Sequence, residues 1–181
     1  MFKMKSLIKK IALAALVLVI GLTAYPISGA SAAGMNGQAN PQPDNSRLEN
    51  LWASEQSHYK LQGDRISNAG DFIAWVQTLI NRANAKGWDT SSVQAALNAL
   101  SAVIPAVQAA HAPGSAILAS HTGFNANGKV TDRITAIATA KSLARVLKNT
   151  RTAMNGTGMA LLAAIRVFRD AHPRSTTIPV R

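Results

Sequence analysis

From Thr90 to Gly128 the chain carries no Asp, Glu, Lys or Arg, although the segments on either side hold nearly all of its charge. Apolar positions in this stretch recur at helical spacing. Val93, Leu97, Leu100, Ile104, Val107, His111, Gly114, Leu118 and His121 step by alternating fours and threes. That is the ~3.5-residue repeat of a helix held against partners. Ala96, Val103, Ala110 and Ile117 form a second stripe beside the first, so the apolar face is wider than one partner needs. Gln94, Asn98, Ser101, Gln108 and His111 interrupt the run too often for a membrane span. The run therefore reads as the middle helix of an all-α protein, an elongated antiparallel three-helix bundle with coiled-coil-like packing.

The three helices are expected over residues 46–86, 90–122 and 131–171, within a bundle domain of 46–172. The first follows Asp44-Asn45-Ser46, three possible N-caps, and its seam again steps by fours and threes. That seam is Leu48, Trp52, Glu55, Tyr59, Gln62, Ile66, Ala69, Ile73, Val76, Ile80 and Ala83, and the helix stops at Lys86-Gly87. Gly63 and Gly70 weaken it without interrupting the seam. In the middle helix, Asp89 or Ser91 is the expected cap, with Gln94 closing a capping box, while Pro105 and Pro113 each remove a backbone hydrogen bond. Counted outward from Trp88, Gly63 and Pro113 fall at one level, where a kink can be shared. Thr131 is the expected cap of the third helix, whose core face reads Ala136, Ala140, Leu143, Leu147, Met154, Gly158, Leu161, Ile165, Phe168 and His172. Asn155-Gly156-Thr157-Gly158 interrupts it, and the residues beyond are expected to overhang the Trp88 end or fold back over it.

Outside the bundle, Met1 to Lys10 is lysine-rich and acid-free, Ile11 to Ala24 is almost wholly apolar, and Ala30-Ser31-Ala32 offers small residues to a peptidase. Residues 1–32 are thus expected to be a secretory signal peptide. Residues 33–45 read as a disordered Gly, Asn, Gln and Pro linker, and 173–181 as a disordered basic tail. The expected location is exported, periplasmic or extracellular. There is no cysteine, which removes disulfides, lipoprotein attachment and thiolate chemistry. Losing residues 1–32 takes four of the 19 Lys and Arg and none of the eight acids, so the mature chain stays basic.

Two constellations could carry chemistry. Lys141, Arg145, Lys148 and Arg166 project within about 60 degrees of one another if the third helix is continuous, opposite its core stripe. Such a strip would bind an anionic polymer or anionic lipid surface, unless Asp64 and Asp71 of the first helix lie level with residues 140 and 147 and neutralise it. Specific nucleic-acid recognition is not expected, because no aromatic residue interleaves the basic ones. The second constellation is Glu55 and His58, a Glu-x-x-His pair, with His121 level across the bundle. These three have the donors for one zinc or copper ion, but a chain with two glutamates cannot complete a di-iron site. The reading adopted is that they satisfy one another by hydrogen bonds and fix register, with no metal and no cofactor. His111 is expected to be a core histidine donating to a backbone carbonyl loosened by Pro113. No Gly-x-Ser-x-Gly, P-loop, His-Glu-x-x-His or dinucleotide fingerprint occurs, so an enzyme is not expected.

The stretches Gly87–Leu97, Ala119–Arg133 and Met154–Gly158 resemble segments of small secreted bacterial helical proteins, over about Leu48 to His172. The resemblance implies a helical fold and export and carries no activity. The functional expectation is a non-enzymatic interaction or structural protein, acting on a protein partner or by self-association, with the basic-face binding module as the alternative.

Overall fold

The structure, a computed structural model, describes residues 44–173. The expected signal peptide, almost all of the expected linker and the expected tail beyond Pro173 lie outside the described residues. Within them the chain is all-α, with no β-strand and one isolated bridge between Phe124 and Val130.

Each expected helix is divided in two. The first pair is α1 (Ser46–Ser67) and α2 (Ala69–Asn84), the second α3 (Ser91–His111) and α4 (Pro113–Ser120), the third α5 (Arg133–Met154) and α6 (Thr157–Ala171). The divisions have different causes. At Asn68 the interruption is slight: its backbone still donates to Asp64 and its carbonyl still accepts from Phe72, while its side-chain amide adds a second bond to the Asp64 carbonyl. The glycines expected to weaken this helix, Gly63 and Gly70, both remain helical. At Ala112 the cause is Pro113, which begins α4 at a position where its missing N–H is tolerated. Pro105 stays inside α3. Between α5 and α6, Asn155 and Gly156 both adopt left-handed backbone, with φ of 46° and 70°, and this ends the helix outright.

The caps differ in part from expectation. At the start of α3 the Thr90 side chain makes no cap bond, the expected Asp89 accepts from the Ser91 backbone at 2.9 Å, and Gln94 pairs with Gln77 across the helix interface instead of closing a box on Ser91. Asp132, not Thr131, caps α5, accepting from the backbone of Ile134 and Thr135. Its hydrogen bonds to Thr135, side chain before backbone, hold the Asp132 carboxyl below the usual carboxylate range.

The uncharged α3 lies against α5, α6 and α2, with a smaller contact to α1. Pairs between the first and second helical pairs run in opposite chain directions: Gln77 meets Gln94, Tyr59 meets His111 and Trp52 meets Phe124. Two apolar clusters result. Val76, Ile80, Val93, Leu97, Leu100 and Leu161 form one toward the Trp88 end. Trp52, Phe124, Ala136, Ala140 and Leu143 form the other, toward the loop before α5. Leu97, Leu100 and Val107 are almost fully buried, although α3 and α4 together are long and apolar enough to cross a membrane. Ala95, Ala99, Ala102, Pro105, Ala106 and Ala109 line the opposite, exposed face of α3.

The kink level expected at Gly63 and Pro113 is filled by a reciprocal clasp. Tyr59 stacks on His111 with ring centroids 3.9 Å apart. The His111 Nε2–H donates to the Tyr59 carbonyl at 3.1 Å, and the Tyr59 hydroxyl donates to the His111 carbonyl at 3.3 Å. Ser115, which would normally bond that carbonyl, bonds Ala112 instead, so the break frees an acceptor that Tyr59 then occupies. The histidine is therefore satisfied by the neighbouring helix, not by a loosened carbonyl of its own. Gly114 opposes Tyr59 so closely that a Cβ there would lie 2.1 Å from the ring, which is why no side chain is present.

The third pair neither overhangs nor folds back. Residues 121–132 pack against the start of α5, with Phe124 buried and Gly123 on the Ala136 backbone, and α4 also lies along α5 through Ile117 and Leu118. α6 consequently ends at Trp88, where Phe168 and His172 pack on the indole.

Candidate functional site

α5 carries Arg133, Lys141, Arg145, Lys148 and Arg151 and no acid. Lys141, Arg145 and Lys148 are all exposed on one side, since their spacing of four and three is a single helical face and the buried face holds Ala136, Ala140, Leu143, Val146 and Thr150. Arg166 is also exposed but sits on α6, beyond the two left-handed residues. The angular count that aligned it with the other three assumed a continuous helix, and the break removes that phase relation.

The neutralising partners do not arrive. Gln62 Nε2 donates to the Leu147 carbonyl at 3.4 Å, so Asp64 lies about a dozen ångströms from the expected level of residue 140, nearer the level of Lys148, yet no ion pair joins the two. The displacement comes from the loop that fills the level before α5. Among the described residues the ion pairs are Lys129–Glu49 and Arg169–Asp170, and none involves Lys141, Arg145, Lys148 or Arg166. Glu49 itself is committed elsewhere. It accepts from Lys129 Nζ at 2.7 Å and from the Val130 backbone at 3.1 Å, and these bonds, Lys129 first, hold its carboxyl low.

Glu55, His58 and His121 do not assemble. His121 caps α4 in left-handed backbone with φ 32°, and its Nδ1–H donates to the Ala119 carbonyl. Its ring lines an open polar cleft of about 570 Å³ between α1 and the 125–129 loop. His58 is half-buried elsewhere on α1, and Glu55 is buried at 6% exposure with Oε2 unpartnered. Among the described residues no three His, Asp or Glu side chains lie close enough to share a metal ion. The level of Glu55 was placed well, as the Trp52–Phe124 stack one turn away demonstrates, but the mutual hydrogen bonding was not.

Burial raises the Glu55 carboxyl from its usual range to about 7. A raised carboxylate pKa means that its contribution to stability is intact below about 4.5 and is lost as pH rises toward 7, because the folded state then holds an unpaired buried anion. Glu55→Leu is accordingly expected to be more stable than the natural chain at pH 8, by about 2 kcal/mol, with much of that gap closing at pH 5. Urea melts of both proteins at the two pH values measure it, and a gap independent of pH would refute the buried anion.

Comparison of the chain with protein-family models, with curated proteins and with solved structures gives no match. The reading of function therefore rests on the residues themselves.

Proposed function

We propose that the three helical pairs form an antiparallel three-helix bundle, exported by its leader, that works without catalysis by binding an anionic surface. Lys141, Arg145 and Lys148 on α5 make the contact to repeated phosphate or carboxylate groups, of an anionic polymer or of lipid headgroups, with Arg166 adding to the field. One observation supports this above the rest: α5 exposes a face of cations that no acid of the described chain neutralises. Side chains of this kind cost little to strip of counterions and gain about 1 kcal/mol each near an anionic surface.

The expected result is steep salt dependence. Affinity for phosphatidylglycerol vesicles or for polyphosphate should fall by at least tenfold between about 50 and about 200 mM salt. Replacing Lys141, Arg145 and Lys148 together by Gln should weaken binding about a hundredfold at the lower salt. Affinity insensitive to both changes would sink the proposal.

A second reading is supported by α3. Its exposed face of Ala, Ser, Gln and Pro has no charge from Ser91 to Ser120, and such a face suits a protein partner or a second copy of the chain. Sedimentation of the mature protein over a hundredfold concentration range separates the two readings, since only the second requires association without any polyanion.

A further inference from the structure

Three Asn-Gly pairs occur in the chain, at 36–37, 127–128 and 155–156, and the first lies outside the described residues. Such a pair can react with itself, because glycine has no side chain to keep its backbone nitrogen from the preceding side-chain amide. The structure holds the two described pairs differently. At Asn127 the turn is tied by Asn125: the Gly128 N–H donates to the Asn125 carbonyl at 2.8 Å, and those of Asn127 and Lys129 donate to Asn125 Oδ1 at 2.9 and 3.0 Å. At Asn155, which ends α5 in left-handed backbone, the side-chain amide makes no hydrogen bond among the described residues, and the Gly156 N–H meets no acceptor. Both residues are exposed, and a Cβ built on Gly156 would meet nothing within 4 Å. A bond across the break, from Thr157 Oγ1 to the Met154 carbonyl at 2.7 Å, leaves both reacting groups unengaged.

We propose that Asn155-Gly156 is a site of spontaneous covalent modification, at which the neutral break between α5 and α6 acquires a carboxylate. The Gly156 nitrogen, its proton lost to solvent base, bonds to Asn155 Cγ and closes a succinimide ring. The Cγ bond to the side-chain nitrogen breaks, and that nitrogen takes a proton from water and leaves as ammonia. Water then adds to one of the ring carbonyls and breaks its bond to the Gly156 nitrogen. Addition at Cγ leaves aspartate, and addition at the main-chain carbonyl leaves isoaspartate, whose peptide link runs through the side chain. Closing the ring takes the Asn155 backbone away from its ψ of 35°, which the exposed, unpacked junction allows when the first turn of α6 loosens. At Asn127 the same movement would break the bonds held by Asn125. The new carboxylate lies at the C-terminal end of α5, where the helix carbonyls already concentrate negative charge. Either product should therefore loosen the seating of α6 on α3, and isoaspartate more, since it lengthens the main chain just before Leu161 enters the core. The reaction needs no partner and stands or falls separately from the binding of an anionic surface.

Peptide mapping by mass spectrometry, on the mature protein held folded for weeks in mildly alkaline buffer, tests the assignment. Aspartate and isoaspartate should accumulate at Asn155 about tenfold faster than at Asn127, the factor that one retained backbone hydrogen bond imposes. In concentrated urea the two rates should converge, because both pairs then lose their folded surroundings. Asn125→Ala should raise the Asn127 rate toward that of Asn155 and leave the Asn155 rate unaltered. In the aged protein, hydrogen exchange should quicken in α6 while amides near Trp52 and Ala140 keep their protection. No conversion at Asn155, equal rates at the two sites in the folded protein, or a difference that survives in urea would each overturn the proposal. The last would assign the selectivity to neighbouring residues in sequence and not to the fold. An Asn127 rate unmoved by Asn125→Ala would overturn the protective role of the turn, and unchanged exchange in aged α6 would overturn the loosening.

Discussion

Gly123→Ala is expected to destabilise the protein by about 2–5 kcal/mol, with ~1–2 from backbone strain and ~1–3 from overlap. Gly123 has φ +85°, in the left-handed region, and a Cβ built on it would lie 2.2 Å from the Ala136 backbone nitrogen and 2.6 Å from its Cα. A clash of this loop residue with a helix main chain has no rotamer to escape into, so α5 itself would have to move. The movement would be expensive because the Gly123 carbonyl also accepts from the backbone of Thr131 and Asp132, which fixes where α5 begins. Gly128→Ala supplies the control. Its φ of +73° is similar, but its nearest neighbour would be the Trp52 ring at an ordinary 3.7 Å, so only the strain of about 1–2 kcal/mol should appear. Paired urea melts give the difference. If the two substitutions cost the same, the loop does not press on α5 as described, and the shifted register between α1 and α5 loses its cause.

That loop also marks where the sequence stopped being readable. The buried faces were legible from spacing alone: Trp52, Gln62, Ala69, Val76, Ile80 and Ala83 of the first pair, and Val93, Leu97, Leu100, Val107 and Gly114 of the second, all fall on the expected seams. Period survives because it needs no knowledge of what the partner is. Register between distant helices is another matter, since it depends on the height of whatever connects them. Phe124 to Lys129 reads locally as an Asn-Gly turn, and a turn adds almost nothing to height. In the fold, however, Phe124 is core and its segment fills a level, and every α1–α5 correspondence shifts with it. The expected levels of Asp64 and Asp71 failed for that reason, and so did the expected overhang or fold-back at Trp88. Thr139, Val146 and Thr150 were missed for a simpler one. α5 touches both α1 and α3, so its buried face is broader than the single stripe that a period search selects. The interruption at Asn68, where the side chain bonds the Asp64 carbonyl, has no periodic signature.

Trp52→Ala is expected to cost about 3–5 kcal/mol, the range for deleting a buried aromatic side chain, and its effect should be confined to one end. Trp52 is 1% exposed and lies flat on Phe124, centroids 4.7 Å apart and planes 9° from parallel. It is the largest side chain of the cluster that joins α1, the 121–132 loop and the start of α5. Between this cluster and the one around Leu97 and Leu161 lies a layer holding the unpartnered carboxyl of Glu55, the half-satisfied amide of Gln62 and the Tyr59–His111 clasp. Such a layer transmits little apolar stabilisation from one cluster to the other, so the two ends should open as separable units. Hydrogen exchange in Trp52→Ala should therefore quicken in α1, α4 and the first turns of α5, while amides near Val76, Leu97 and Leu161 keep most of their protection. Leu97→Ala, costing about 2–5 kcal/mol, should produce the mirror image. A uniform loss of protection in either variant would mean that the polar layer couples the ends, in which case Glu55 and Gln62 have partners that the described side chains do not supply.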